Sequence, residues 1–475
     1  MPETPGAAQG RTYFDKVWDD HVIADMGDNT FLLSMDRLFL HDLSGSAALI
    51  RLEQSGRGPA LKNHVFAVID HVVDTRPGHR YDSPRPGGTE LMVSMRELCN
   101  KHGLNFFDVD DPRQGIVHVV APEQGVALPG LTLVCGDSHT CTLGGVGALA
   151  FGIGSSECLH VLATQALPQI KPKNMRVTYS GALGKGVFPK DMVLALIGRI
   201  GANGGIGYAV EFAGPVIADM SVEGRLTICN MAIEFSAKYG FVPPDERTIE
   251  YVKGRPFSPK GADWDAAVAY WRAARTDANA RFDREEAIDC NTLTPQVTWG
   301  TSPQLVVGVA DKVPDPKQAA DAGVSVLMKR ALEYMKLDAG AQMTDVPIDG
   351  AFIGSCTNAR ISDLRLAAQV LKGRKVADGV TAICIPGSTE VKKQAEAEGL
   401  DRIISEAGFQ WRESGCGYCA YIGGDEFLDK RVVTSTNRNF ENRQGPKTRS
   451  HLASPATVAA SAIRGRITDP REFLA

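Results

Sequence analysis

Cys416 and Cys419 stand two residues apart in SGCGYC, and Cys356 precedes them in GSCTN. A Cys-x-x-Cys pair alone suits a redox couple, half of a zinc site, or a packing pair on a helix. A closed tetrahedral zinc site needs four ligands, and no nearby fourth Cys or His accompanies these three. Three thiolates instead suit an open metal site. A [4Fe-4S] cluster held by three cysteines keeps one iron free of cysteine, able to act as a Lewis acid on hydroxide or a substrate oxygen. Gly415 and Gly417 would let backbone approach a bulky cluster. Of the ten cysteines, the remaining seven read as core, although Cys135 and Cys141 flank the next motif.

Carboxylates and imidazoles recur beside short apolar runs: Asp70 and His71 in AVIDHVVD, His118 in GIVHVV, and Asp137, Ser138 and His139 in CGDSHT. A carboxylate next to a histidine fixes the ring tautomer and raises its pKa, which suits general acid or base work. His21, His41, His64, His79, His102 and His160 have weaker surroundings. Asn230 and Glu234 in TICNMAIEF are one helical turn apart and could share a face. Asn437, Arg438, Asn439 and Arg443 crowd the polar stretch TSTNRNFENRQG. Paired guanidinium groups of this kind bind the carboxylates of a small polyacid, or else simply face solvent.

These groups need a scaffold that brings distant loops together. LTLVCGDSHT followed by GALAFGIGSSECLHVLATQAL reads as strand, loop and helix. AFIGSCTNARISDLRLAAQVLKG repeats the pattern, with Cys356 at the end of a strand and Leu364, Ala367, Ala368 and Leu371 on one helix face. The class is therefore α/β, in which ligands bind at the carboxyl ends of the strands. ADWDAAVAYWRAARTDANARF reads as an amphipathic helix within a connecting excursion, and Pro and Gly density suggests boundaries near 250 and 300.

The 475 residues include 43% hydrophobic and 23% charged, enough for several packed domains and too apolar for disorder. A net charge of −5 with no basic stripe speaks against nucleic acid as partner. No run is long and apolar enough to cross a membrane, and MPETPGAAQG lacks the basic start and apolar core of a leader, so a cytoplasmic protein is expected.

Taken in order, IDHVVDT, GIVHVVAPEQG, VCGDSHTCTLGGVGALAFGIGSSE, TICNMAIEFSAKYG, PQVTWGTSPQ, FIGSCTNARISDLR, SGCGYC and TSTNRNFENRQG resemble the aconitase superfamily over nearly the whole chain. That resemblance implies three α/β domains (1–172, 173–297 and 298–475) around a [4Fe-4S] cluster, with the family's mobile C-terminal swivel domain absent and supplied as a separate small subunit. It makes Cys356, Cys416 and Cys419 the cluster ligands. Asp70, His71, His118, Asp137, His139 and Glu234 become catalytic residues, and Ser138, Asn230, Asn437, Arg438 and Arg443 substrate contacts. The swivel domain would add a serine base.

Within the superfamily the match is best to large subunits that, with a small subunit, isomerise 2-isopropylmalate and 3-isopropylmalate by dehydration and rehydration in leucine biosynthesis. The substrate implied is a small dicarboxylic hydroxy acid. Three departures from the usual pattern, at Tyr418, at HDLSGSAALIRL around His41 and Asp42, and at Asn442 where a glycine is common, leave open a paralogue for citramalate, methylmalate or maleate. A cluster-free RNA-binding or structural subunit is a third reading, which the intact cysteine set opposes.

Overall fold

The computed structural model describes residues 10–78 and 80–474, so MPETPGAAQ and His79 lie outside them. Two five-stranded parallel sheets dominate. The first has Arg37–His41 at its centre, Val65–Val68 and then Asn105–Phe107 on one side, and Thr132–Cys135 and then Leu149–Gly152 on the other. The second repeats that order: Gly350–Ile353 is central, flanked by Thr381–Cys384 and Gln410–Trp411 on one side and by Arg431–Thr434 and Arg449–Leu452 on the other.

Strands buried on both faces read as unbroken apolar runs, and VFAV, TLVC and GAFI are wholly buried. In both sheets the chain leaves the central strand toward one side and later returns to the other. Loops diverge at that reversal and leave a crevice beyond the strand ends.

A third parallel sheet, with Lys173–Ser180, Tyr208–Ala213, Tyr239–Phe241 and Arg284–Asp289, lies between the two in sequence. Smaller antiparallel pieces join Val22–Gly27, Thr30–Ser34 and Ala166–Ile170, and pair Gln296–Thr298 with Val306–Gly308. The expected α/β class holds.

One local expectation fails. GALAF does not begin the helix but forms the edge strand Leu149–Gly152, and the helix Ser155–Thr164 starts only after Gly154. Glycines at 147, 152 and 154 punctuate the run, and glycine is a poor interior helix residue. The ADWDAAVAYWRAA helix is present as Ala262–Ala274, with the Trp264 and Trp271 rings edge to face at 5.5 Å.

Between the first and third sheets runs the tight helical segment Ser138–Val146, wedged against the helix Val222–Asn230 and the strand Tyr239–Phe241. Its glycines are there for closeness. A Cβ on Gly144 would fall 1.9 Å from the Gly240 carbonyl oxygen, and one on Gly145 would fall 2.6 Å from the Leu226 nitrogen. Gly144→Ala is therefore expected to cost about 3 kcal/mol through overpacking against backbone. Urea unfolding should show this loss, with Gly58→Ala, whose nearest neighbour is 3.9 Å away, close to neutral.

Candidate active site

His71 follows the strand Val65–Val68 and is held between two carboxylates. Its Nδ1 lies 2.6 Å from Asp70 Oδ1 and its Nε2 lies 3.1 Å from Asp137 Oδ2. Burial disfavours the charged ring, but the charges of Asp70 and Asp137 outweigh it and raise the His71 pKa well above the ordinary value. The loop is pinned from behind: Asp70 Oδ2 accepts the Val117 N–H at 2.9 Å, and Asp42 accepts the N–H groups of His71 and Val72. The His41 ring stacks on His71 at 4.2 Å.

Asp137 begins a second chain of contacts. Its Oδ1 accepts the His139 N–H at 2.7 Å, His139 Nε2 reaches Glu234 Oε1 at 2.9 Å, and Glu234 takes two bonds from Arg438. Burial would push both carboxyls up in pKa, yet hydrogen bonds from His139 and its neighbours hold Asp137 well below the carboxylate range and Glu234 below it. Ser138 Oγ accepts from Arg438 Nη2 at 3.4 Å.

Glu234 arrives by a route the helical spacing did not anticipate. Asn230 ends the helix Val222–Asn230, and Glu234 sits in the tighter turn Met231–Phe235, so one residue faces Cys356 and the other His139. His118 is set apart. Its Nε2 meets Thr140 Oγ1 at 3.2 Å, burial lowers its pKa to about 3, and it does not line the cavity.

The cysteines come from the second sheet. Cys356 follows Gly350–Ile353, and the side-chain amides of Asn230 and Asn437 donate to its sulfur at 3.1 and 3.2 Å. Cys416 and Cys419 are joined as a disulfide, with their Cα atoms 5.7 Å apart, the oxidised form of the redox couple that their spacing allowed. Only the reduced pair can hold iron. A His71 ring nitrogen lies within 4.8 Å of both sulfurs, so folding does supply a histidine near them, one already committed to two carboxylates.

All three cysteines open on one cavity of about 260 Å³, together with His41, Leu43, His71, Asp137, Ser138, His139, Asn437, Arg438 and Arg443. Asn437 Oδ1 and Arg443 Nε are buried beside it without a hydrogen-bond partner. Three convergent cysteines, amides aimed at a sulfur and unpaired polar atoms suit an iron-sulfur cluster with a polar ligand beside it. A larger cavity, about 400 Å³, lies between the helices Pro189–Ile200, Val222–Asn230 and Ile361–Leu371, but holds none of the expected site residues.

A model of the aconitase family (aconitate hydratase) matches residues 15–465. The chain belongs to the aconitase family. It is 52% identical over 464 residues to 3-isopropylmalate dehydratase large subunit 1 of Bradyrhizobium diazoefficiens, covering 98% of this chain and 97% of that one. Among solved structures, the holo-form of Thermococcus kodakaraensis aconitase X matches 86% of this chain and 84% of its own at 12% identity and a TM-score of 0.45. Family membership implies a [4Fe-4S] cluster.

Against the aconitase-family pattern, two of the three departures lie outside the cavity. Tyr418 is fully buried with its ring in the core of the second sheet. Asn442 has φ +65°, a left-handed position that glycine fills without strain and asparagine tolerates, and its Oδ1 accepts the Lys447 N–H at 2.7 Å. The third departure, His41 to Leu43, does line the cavity.

Lys190 escaped the sequence reading because a lone lysine near a helix start usually faces water. It is fully buried, and its ammonium donates to the carbonyls of Ser435, at 2.6 Å, and Thr436. Those carbonyls immediately precede Asn437 and Arg438. Lys190→Met is expected to leave both unpaired and to cost about 2–3 kcal/mol in urea unfolding of the cluster-free chain.

Proposed function

We propose that this chain is the cluster-bearing large subunit of a hydro-lyase that interconverts 2-isopropylmalate and 3-isopropylmalate in leucine biosynthesis, in the cytoplasm. A small swivel-domain subunit completes its site. The observation that carries the reading is the single cavity in which Cys356, Cys416 and Cys419 meet the His71, His139 and Arg438 networks. The 52% identity to a chain named for that activity supports the choice of substrate.

Cys356, Cys416 and Cys419 are the residues that would hold the cluster, and when bound it supplies, through one iron free of cysteine, a Lewis acid for the substrate's hydroxyl and carboxylate. The chain's own residues then handle protons and orientation. His71, held protonated between Asp70 and Asp137, gives its Nε2 proton to the hydroxyl as it leaves as water. Asp70 fixes the ring through Nδ1. His139 and Arg438 lower the Glu234 pKa and hold its carboxylate just behind the cavity wall, from where it orders water at the reacting carbon once Arg438 turns to the substrate.

Arg443, with Nε unpaired, is the readier carboxylate anchor, while Arg438 exchanges its grip on Glu234 for a substrate carboxylate. Ser138 and Asn437 line that polar wall, Asn230 stands behind it with its amide on the Cys356 sulfur, and His118 acts from behind as a neutral ring. The C–H proton goes to a base on the small subunit. Water then returns with the opposite regiochemistry.

Anaerobic loading with iron and sulfide after thiol reduction, with the small subunit added, should give turnover of isopropylmalate followed by the ultraviolet absorbance of the unsaturated acid. Preference for citramalate or malate would overturn the substrate assignment. His71→Asn should lower kcat about 10²–10⁴-fold, the range for a lost general acid. Arg443→Lys should act mainly on KM. Cys356→Ser should bind markedly less iron than the parent, measured by metal analysis, and full iron content in that variant would refute its role as a ligand.

A further inference from the structure

Tyr418 stands between the two cysteines of the Cys-Gly-Tyr-Cys loop, yet its side chain points away from the cavity they face. The ring packs edge-on against Phe427 at 4.7 Å and Phe352 at 5.5 Å, in the core behind the second sheet. Its hydroxyl donates to Glu426 Oε2 and accepts from Arg412 Nη1 at 3.1 Å. Arg412 and Glu426 are themselves paired at 2.7 Å, and the arginine is buried.

The loop backbone is tied down as well: the Tyr418 carbonyl accepts from Gln444 Nε2 at 2.9 Å, and the Cys416 N–H donates to the Asp70 carbonyl at 2.7 Å. A three-residue step between cysteines gives the central side chain great leverage. With Tyr418 fixed outward, the flanking sulfurs are turned toward the cavity.

We infer that Tyr418 is a positioning residue whose hydroxyl, clamped by Arg412 and Glu426, fixes the Cys416–Cys419 loop so that the cluster stays on the chain. This rests on the proposed reading of these cysteines as cluster ligands. The ring alone packs the core, so Tyr418→Phe keeps the shape and removes only the clamp, while Glu426→Gln weakens it from the other side.

The test loads the parent, Tyr418→Phe, Glu426→Gln and the double variant with cluster anaerobically, and follows iron release to a chelator alongside thermal unfolding of each cluster-free chain. Tyr418→Phe is expected to release iron about tenfold faster, the effect of losing one hydrogen bond to a charged partner, with little change in the cluster-free Tm. The double variant should be no faster than the faster single one. Parental release rates in both single variants, or a lowered Tm with unchanged release, would overturn the inference and leave the cluster reading intact. A parent that takes up no cluster would overturn both.

Discussion

Buried negative charge is the constraint around which this protein is organised. Asp70 and Glu234 are buried and Asp137 is largely so at the cavity wall, and an unpaired carboxylate in such a place costs several kcal/mol. His71, His139 and Arg438 answer them. All but the adjacent His71–Asp70 pair cross between loops distant in sequence, so charge balance and chain topology are solved together. The neighbouring carboxylates raise the His71 pKa, and hydrogen bonds from His139 lower those of Asp137 and Glu234, before any substrate arrives. Preorganisation of this kind spares the reaction the cost of reorienting dipoles as charge develops.

The pairing also explains the packing around it. Asp42 and the Val117 N–H hold the acid loop from behind, and Lys190 steadies the carbonyls ahead of Asn437 and Arg438. Glycines at 144 and 145 permit the contact that brings Glu234 within reach of His139. None of these groups need touch a reacting atom, yet each limits where one that does can sit.

Much of this was legible in the residues. Apolar runs ending in Asp-His or Gly-Ser-Cys pointed to strand ends, and parallel sheets put strand ends at a crevice. What was hidden is what depends on long-range packing. Nothing local says that His71 will lie beside the Cys416–Cys419 pair, since their approach is set by two separate sheets. Tyr418 looked like a pocket residue because its neighbours in sequence are; the tight turn through Gly417 and Cys419 sends its ring the other way. Lys190 and Asn442 needed a backbone conformation or a burial that spacing does not encode. The fourth residue after Asn230 was matched in place but not in shape, because the helix tightens there.

The two five-stranded sheets share one strand order and meet across the site, one contributing the Asp-His loops and the other the sulfur-bearing ones. The Cys416 N–H on the Asp70 carbonyl is where they interlock. During synthesis the first of these half-sites leaves the ribosome well before the second, with Asp70, His71, Asp137 and His139 already able to pair with one another. All three cysteines come from the later half, so the sulfur side of the cavity is complete only once Cys419 has been made, and the cavity itself only once the two sheets have met.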